Sequence, residues 1–173
     1  MIYAIGLISV ILAVALDQFT KYLAIKHLQN NPITVIEGVF QFRYLENKGA
    51  AFGMFQNQQL FFLIIGTITL IFIAILYVRM PLEKRYLPLR ICMLSITAGA
   101  IGNMIDRARF QYVVDFLYFE LIDFPIFNVA DIFATVATFV LIFLLMFYYK
   151  EKDIDMIFQL MKPNFKNKNK QAD

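Results

Sequence analysis

Four runs of apolar residues dominate this sequence, each close to the roughly 20 residues a helix needs to cross about 30 Å of hydrocarbon. They lie at Tyr3 to about Lys26, Leu60 to Met80, Leu89 to Ile105 and Ile126 to Tyr149. Lipid offers no partner to a bare backbone N–H or C=O, so spans of this kind fold as α-helices that satisfy those groups internally. Composition agrees: 60% of the side chains are hydrophobic, 17% are charged, and the mean hydropathy is +0.64. A soluble domain of this length is far more polar. The expected fold is an α-helical integral membrane protein with four transmembrane helices, in one membrane domain over residues 1–173. Ala13, Val14 and Ala15 in the first run imitate a small-residue cleavage site. No basic segment precedes that run, three further spans follow and polar residues come directly after it, so it reads as a retained helix.

Basic residues set the expected orientation. Arg79, Lys84, Arg85 and Arg90 lie between the second and third runs, and Lys150, Lys152, Lys162, Lys166, Lys168 and Lys170 follow the fourth. Lys and Arg collect on the cytoplasmic side, which places both termini there, with a cytoplasmic tail at about 150–173. Two segments, about 27–59 and 106–125, are then left outside. From residue 162 the tail is rich in Lys and Asn, and reads as a solvated end suited to anionic lipid and without a catalytic role. With 19 Phe, 9 Tyr and no Trp, any aromatic belt at the lipid boundary must be built from Phe and Tyr.

In the first outer segment, β-branched and aromatic residues alternate imperfectly from Ile33 to Tyr44 around a turn signal at Glu37 and Gly38. Val113 to Phe119 is a second strand-like run. A small non-cytoplasmic β-sheet pairing the two outer segments is expected, with a short outer-face lid from the second of them.

The polar residues converge on that same face. Asp17 and Lys21 sit toward the outgoing end of helix one, Asn103, Asp106 and Arg107 at the outgoing end of helix three, and Asn128 and Asp131 at the start of helix four. Asn47 to Gly53 shortly precedes helix two. A carboxylate within a span costs at least about 2.5 kcal/mol, so each one asks for a partner or a purpose. Lys21 stands one turn beyond Asp17, which reads as a structural ion pair locking helix one. Asp106 adjoins Arg107 and has Asn103 one turn back, and reads as an ionised member of a supporting network. Asp115 and Asp131 differ, because no Lys or Arg lies within four residues of either. Burial without a cation raises a carboxyl pKa, and two such groups brought together share a proton. That is what aspartic chemistry needs: one carboxylate takes a proton from water while the other, protonated, polarises the scissile carbonyl. Asp123 also lacks a nearby cation, so local sequence narrows the field without selecting a pair, and such carboxylates also serve transport and structure.

Other chemistries lack their parts. His27, the single histidine, stands where helix one leaves the membrane and reads as an interfacial residue rather than the base of a Ser-His-Asp triad. Cys92 is the single cysteine, and no Cys and His cluster has metal-ligand spacing, so neither a metal nor another cofactor is expected. There is no nucleophile elbow, zinc helix or phosphate-binding Gly loop, and nothing points to nucleic acid. Ser95 with Gly99 and Ala98 with Gly102 are small pairs spaced for close helix packing in lipid.

Taken together, the motifs resemble, in order, the full signature of the lipoprotein signal peptidases (signal peptidase II), a family of aspartic membrane proteases. Asp17–Lys21 resembles the first motif, 47–53 the second and Ala98–Arg107 the third. Val113–Phe116 and Phe127–Asp131 resemble the last two. The resemblance implies that Asp115 and Asp131 form the catalytic dyad, with Asp17, Lys21, Asn47, Gly49, Asn103, Asp106, Arg107 and Asn128 supporting the site or binding substrate. It also implies an endopeptidase that cuts a diacylglyceryl-modified prolipoprotein just before its lipid-bearing cysteine, acting as a monomer in the bacterial cytoplasmic (inner) membrane near the outer face. Substrate and membrane lipid are then the expected partners. Ala98 stands where the family usually has glycine, which predicts slightly altered helix packing without loss of activity. Two rivals remain: a small proton-coupled transporter, which would spread polar residues along its whole path, and a structural membrane subunit.

Overall fold

The computed structural model describes residues 1–49 and 56–162. Its first element, α1 (Ile2–Leu28), leads into a hairpin of β1 (Ile33–Ile36) and β2 (Phe40–Asn47). Gly38 makes this turn with φ at +68°, a backbone conformation that side chains with a Cβ resist, and Val39 closes it by donating to the Ile36 carbonyl. Next come α2 (Gln59–Arg79), α3 (Leu87–Phe110), β3 (Val113–Tyr118), α4 (Val129–Phe143) and α5 (Glu151–Leu160). Among the described residues four helical stretches have the length and apolarity to span a bilayer: Ile2–Leu28, Gln59–Arg79, Lys84–Phe110 and Val129–Tyr148. The fourth runs through α4 and a wider helical turn at Leu144–Tyr148.

The third span is the central one. In its most apolar stretch 39% of residues are buried, against 6% in the second span and 17% in the first and fourth, and α3 packs against α1, α2 and α4. Small residues allow the close approach. A Cβ on Gly102 would come within 2.5 Å of an Asp17 carboxylate oxygen, and one on Gly99 would strike the Ala130 carbonyl. Ala98, on the same helix, is 2% exposed. Large apolar side chains such as Leu12, Ile68, Val136 and Phe139 point outward around the bundle, where hydrocarbon covers them.

At one end of the bundle lies the expected sheet, antiparallel in the order β1-β2-β3. Phe42 faces Leu117 while Leu45 faces Asp115, so β2 carries one residue more than β3 between those pairs. Such a bulge re-aims the residues beyond it, and Asn47 at the end of β2 accordingly reaches Asp115. The sheet rests on the end of α1 through a small core of Ala24, Leu28, Val114 and Phe116. A larger core at the opposite end gathers Leu76, Met80, Tyr86, Leu89, Met93, Leu144 and Ile157, among others.

Two boundaries and one further element differ from the sequence reading. Helix three runs on to Phe110, ending where Gln111 turns left-handed, so Asp106 and Arg107 belong to its last turns and not to the outer segment. Helix four begins at Val129 rather than Ile126, because Phe127 is occupied in a two-way backbone pairing with Leu117. The tail also contains α5, an amphipathic helix that the sequence reading passed over. Its Ile157 and Leu160 are buried, and Asp153 pairs with Arg85 and accepts from the Tyr86 hydroxyl at 3.0 Å. Those contacts hold the Asp153 carboxyl below its ordinary range, with the Arg85 hydrogen bond the largest cause. The stretch proposed as a solvated tail lies, from residue 163 onward, outside the described residues, as do residues 50–53 of the second motif.

Candidate active site

The sheet end of the bundle contains two layers of polar side chains, and the lower one organises the upper. Lys21, 2% exposed, holds Asp17 and Asp106 at 3.0 Å each, so the expected helix-one pair is present and Asp106 joins it. Asp106 therefore does not pair with its neighbour Arg107. Adjacent residues on a helix point about 100° apart, and Arg107 turns instead toward Phe62, its guanidinium 4.6 Å from the ring centre. Two buried carboxylates around one ammonium need further donors. Asp17 accepts the Ala130 backbone N–H at 2.8 Å, Asp106 accepts that of Val114 at 3.1 Å, and the Gln18 amide donates to both carboxylates. The lower layer thereby ties together α1, α3, the start of β3 and the first turn of α4.

Asn103 links the layers. Its carbonyl oxygen accepts from Lys21 at 2.9 Å and from the Asn128 amide at 3.1 Å, while its own amide donates to Asp131 at 2.7 Å. Asn128 caps α4: its side chain accepts the Asp131 N–H at 3.0 Å, and Asp131 accepts the Asn128 N–H at 3.1 Å. The Asn128 amide also donates to Asp115 at 2.6 Å, and the Asn47 amide reaches the other oxygen of that carboxylate at 2.8 Å. One residue, Asn128, thus touches both Asp115 and Asp131.

Both acids line a cavity of about 550 Å³, together with Asn47, Gly49, Asn103, Arg107, Thr135 and the Phe124–Phe127 loop. Arg107 donates to the Gly49 carbonyl at 3.2 Å, and the Gly49 N–H donates back to Asn47 at 3.0 Å, which holds Gly49 beside the end of β2. Asp115 is 1% exposed. Burial, and next the charge of Asp131, push its pKa up to about 7 against the opposing pull of the Asn47 and Asn128 hydrogen bonds. Asp123, the third acid without a local cation, lies elsewhere: it is exposed, in a left-handed turn, and accepts from the Tyr118 hydroxyl at 2.6 Å.

All ten residues singled out from the sequence meet at this end: Asn47, Gly49, Asn103, Arg107, Asp115 and Asp131 line the cavity, Asn128 is buried behind the two acids, and Asp17, Lys21 and Asp106 lie beneath. Sequence reasoning left out Gln18 as a link between helices, Phe62 as the surface under Arg107, and Thr135. Gln18 stands beside Asp17, which is a usable signal. Phe62 and Thr135 carry none, since each matters through a neighbour that only packing supplies.

Four helices long and apolar enough to span a bilayer, with Asp115 of β3 and Asp131 of α4 lining one cavity at their end, define an integral membrane protein with a polar site at one end of its bundle. Residues 9–147 match the family model described as signal peptidase (SPase) II. The lipoprotein signal peptidase of Clostridium tetani is 43% identical over 141 residues, covering 79% of this chain and 88% of that one. That of Caldanaerobacter subterraneus subsp. tengcongensis is 44% identical over 146 residues, covering 82% and 96%. A bacterial membrane enzyme solved by the in meso method at 2.3 Å resolution superposes with a TM-score of 0.73 at 31% identity, covering 86% of this chain and 93% of that chain. The chain belongs to the signal peptidase II family, and is a membrane protease. Nothing supports the transporter reading.

Proposed function

We propose that the chain removes signal peptides from diacylglyceryl-modified prolipoproteins, cutting before the lipid-bearing cysteine, with Asp115 and Asp131 as the catalytic dyad. The observation that carries the assignment is that Asp115 and Asp131 line one cavity and that Asn128, buried behind it, hydrogen-bonds to both. With one proton between them, the ionised carboxylate takes a proton from water as its oxygen attacks the scissile carbonyl carbon, and the protonated partner donates to the carbonyl oxygen. The tetrahedral intermediate then breaks its C–N bond, with a proton delivered to the leaving amine of the modified cysteine. Asn47, Asn103 and Asn128 hold the acids in place. Gly49 and Arg107 shape the cavity wall, and Asp17, Lys21 and Asp106 brace the helix ends below.

In this reading the protein sits as a monomer in the cytoplasmic (inner) membrane of a bacterium, with both termini inside and the sheet end outside. Support comes from Arg79, Lys84, Arg85, Lys150, Lys152 and Lys162, which occupy the opposite end of the bundle from the acids. Acyl chains and the apolar signal helix can stay in lipid while the scissile bond reaches the polar cavity. The Phe124–Phe127 loop lining that cavity is the segment placed to close over bound substrate.

The test uses purified Asp115→Asn and Asp131→Asn proteins and a diacylglyceryl prolipoprotein. Each variant is expected to fold and to lose cleavage by at least about 100-fold, the lower range for a general acid or base, while Asp123→Asn cleaves as the parent does. Full activity in either dyad variant removes that residue from the pair, and misfolding of both would favour a structural role.

A further inference from the structure

A signal peptide presented to this cavity from within the membrane has to be locally unwound, because a carbonyl held in a helix is already bonded and shielded. Unwinding frees backbone N–H and C=O groups at a depth where water is scarce, and each one left unpaired costs several kcal/mol. The enzyme has to supply partners on the hydrocarbon side of the acids. The spanning helices present four polar side chains to the cavity: Asn103 and Arg107 from α3, Asp131 and Thr135 from α4. Two are committed and Arg107 is partly so. Asn103 is divided among Lys21, Asn128 and Asp131; Asp131 accepts from Asn103 and caps α4; Arg107 donates to the carbonyls of Gly49 and Asn103, while its buried Nε–H has no partner among the described residues.

Thr135 is the uncommitted one. It stands one turn beyond Asp131, about 6 Å further along α4 toward the hydrocarbon at 1.5 Å per residue. A threonine on a lipid-exposed helix ordinarily returns its hydroxyl to the carbonyl four residues back. Thr67 and Thr138 do so here, to Leu63 and Ala134, both at 2.7 Å, whereas Thr69 and Thr97, neither of which lines the cavity, do not. Thr135 is exposed, lines the cavity and makes no such bond among the described residues.

We infer that Thr135 is a substrate-positioning residue whose hydroxyl donates to a backbone carbonyl of the unwound signal peptide, on the membrane side of the scissile bond. The inference rests on the peptidase function proposed above and adds a contact that orients the peptide without taking part in proton transfer. Full-length parent, Thr135→Val and Thr135→Ser proteins, purified in lipid and compared on a diacylglyceryl prolipoprotein, test it. One neutral hydrogen bond is worth about 1 kcal/mol, or roughly fivefold. Thr135→Val keeps the shape and loses the donor, so its kcat/KM is expected to fall about fivefold, carried by KM, while Thr135→Ser restores most of the loss. A parental KM in Thr135→Val, a loss confined to kcat, or a Ser variant as impaired as the Val variant overturns the inference. In each of those cases the parent still cleaves, so the peptidase reading survives. Should the Val variant fold poorly, parental enzyme can be assayed on substrates carrying single ester-for-amide replacements in the three residues before the cleaved bond. An ester carbonyl is the weaker acceptor, and a KM untouched by every replacement overturns the inference equally.

Discussion

Asp115 sits where two influences oppose its charge and three accommodate it, the third being the charge of Lys21. Burial and the neighbouring Asp131 raise its pKa to about 7, against hydrogen bonds from Asn47 and Asn128. A proton is therefore retained near neutrality, and under the proposed dyad mechanism its loss marks the alkaline edge of activity. Cleavage is expected to fall as pH rises through about 7, with an apparent value that belongs to the pair rather than to one acid. Initial rates across a pH series check this, and a profile flat from pH 6 to 9 would be inconsistent with a shared proton. Stability follows the same sign. The folded-state value lies above the ordinary 3.8, so folding favours the protonated form; that contribution is complete below about 4 and is lost as pH rises through about 7. Asp115→Asn cannot ionise, though it gives up one of the two acceptors used by Asn47 and Asn128, so its unfolding should lose this dependence on pH through about 7, which separates lost chemistry from lost structure.

At the scale of elements, the site depends on how closely α3 approaches α1 and α4. Gly102 allows Asp17 to lie against α3 and leaves its backbone carbonyl free to accept from Gln18 at 3.1 Å. Gly102→Ala places a methyl group within 2.5 Å of the Asp17 carboxylate, which Lys21 and the Ala130 N–H hold in position. Overpacking of this kind costs about 1–3 kcal/mol, and the displaced carboxylate would loosen the first turn of α4. The expected outcome is a lower unfolding temperature in detergent together with reduced cleavage, measured on the same preparation. An unchanged melting temperature would mean that α3 and α1 separate more readily than the packing implies. The bulge in β2 works in the same manner at the other wall, since it sets the register that carries Asn47 to Asp115.

Across the whole molecule, the cavity acids lie at one end of an apolar bundle, and the basic group of Arg79, Lys84, Arg85, Arg90, Lys150, Lys152 and Lys162 lies at the other, although Lys26, Arg43, Lys48 and Arg109 share the acids' end. That separation predicts the orientation in the membrane. Glu37 at the hairpin turn and Lys152 on α5 are both exposed, and the native Cys92 is 3% exposed and so a weak background. In intact cells, Glu37→Cys should react with a membrane-impermeant thiol reagent, and Lys152→Cys only after permeabilisation. The reverse pattern would place the acids on the cytoplasmic side.

How much could be read beforehand depends on the range of the interaction concerned. Apolar run length determined the four spans, because the thickness of hydrocarbon is a fixed ruler. The spacing of Asp17 and Lys21 determined their pair, because a helical turn is local geometry. The absence of cations singled out Asp115, Asp123 and Asp131 but not two of the three, since the choice depends on which acids face a common space. Packing made that choice, setting Asp115 and Asp131 on one cavity and Asp123 at an exposed turn. Packing likewise gave Asp106 to Lys21 rather than to Arg107, extended α3 through Phe110, and docked α5 on Arg85. Each of those outcomes rests on partners tens of residues distant in the chain, and a side chain's direction relative to another helix is settled only when the helices have met.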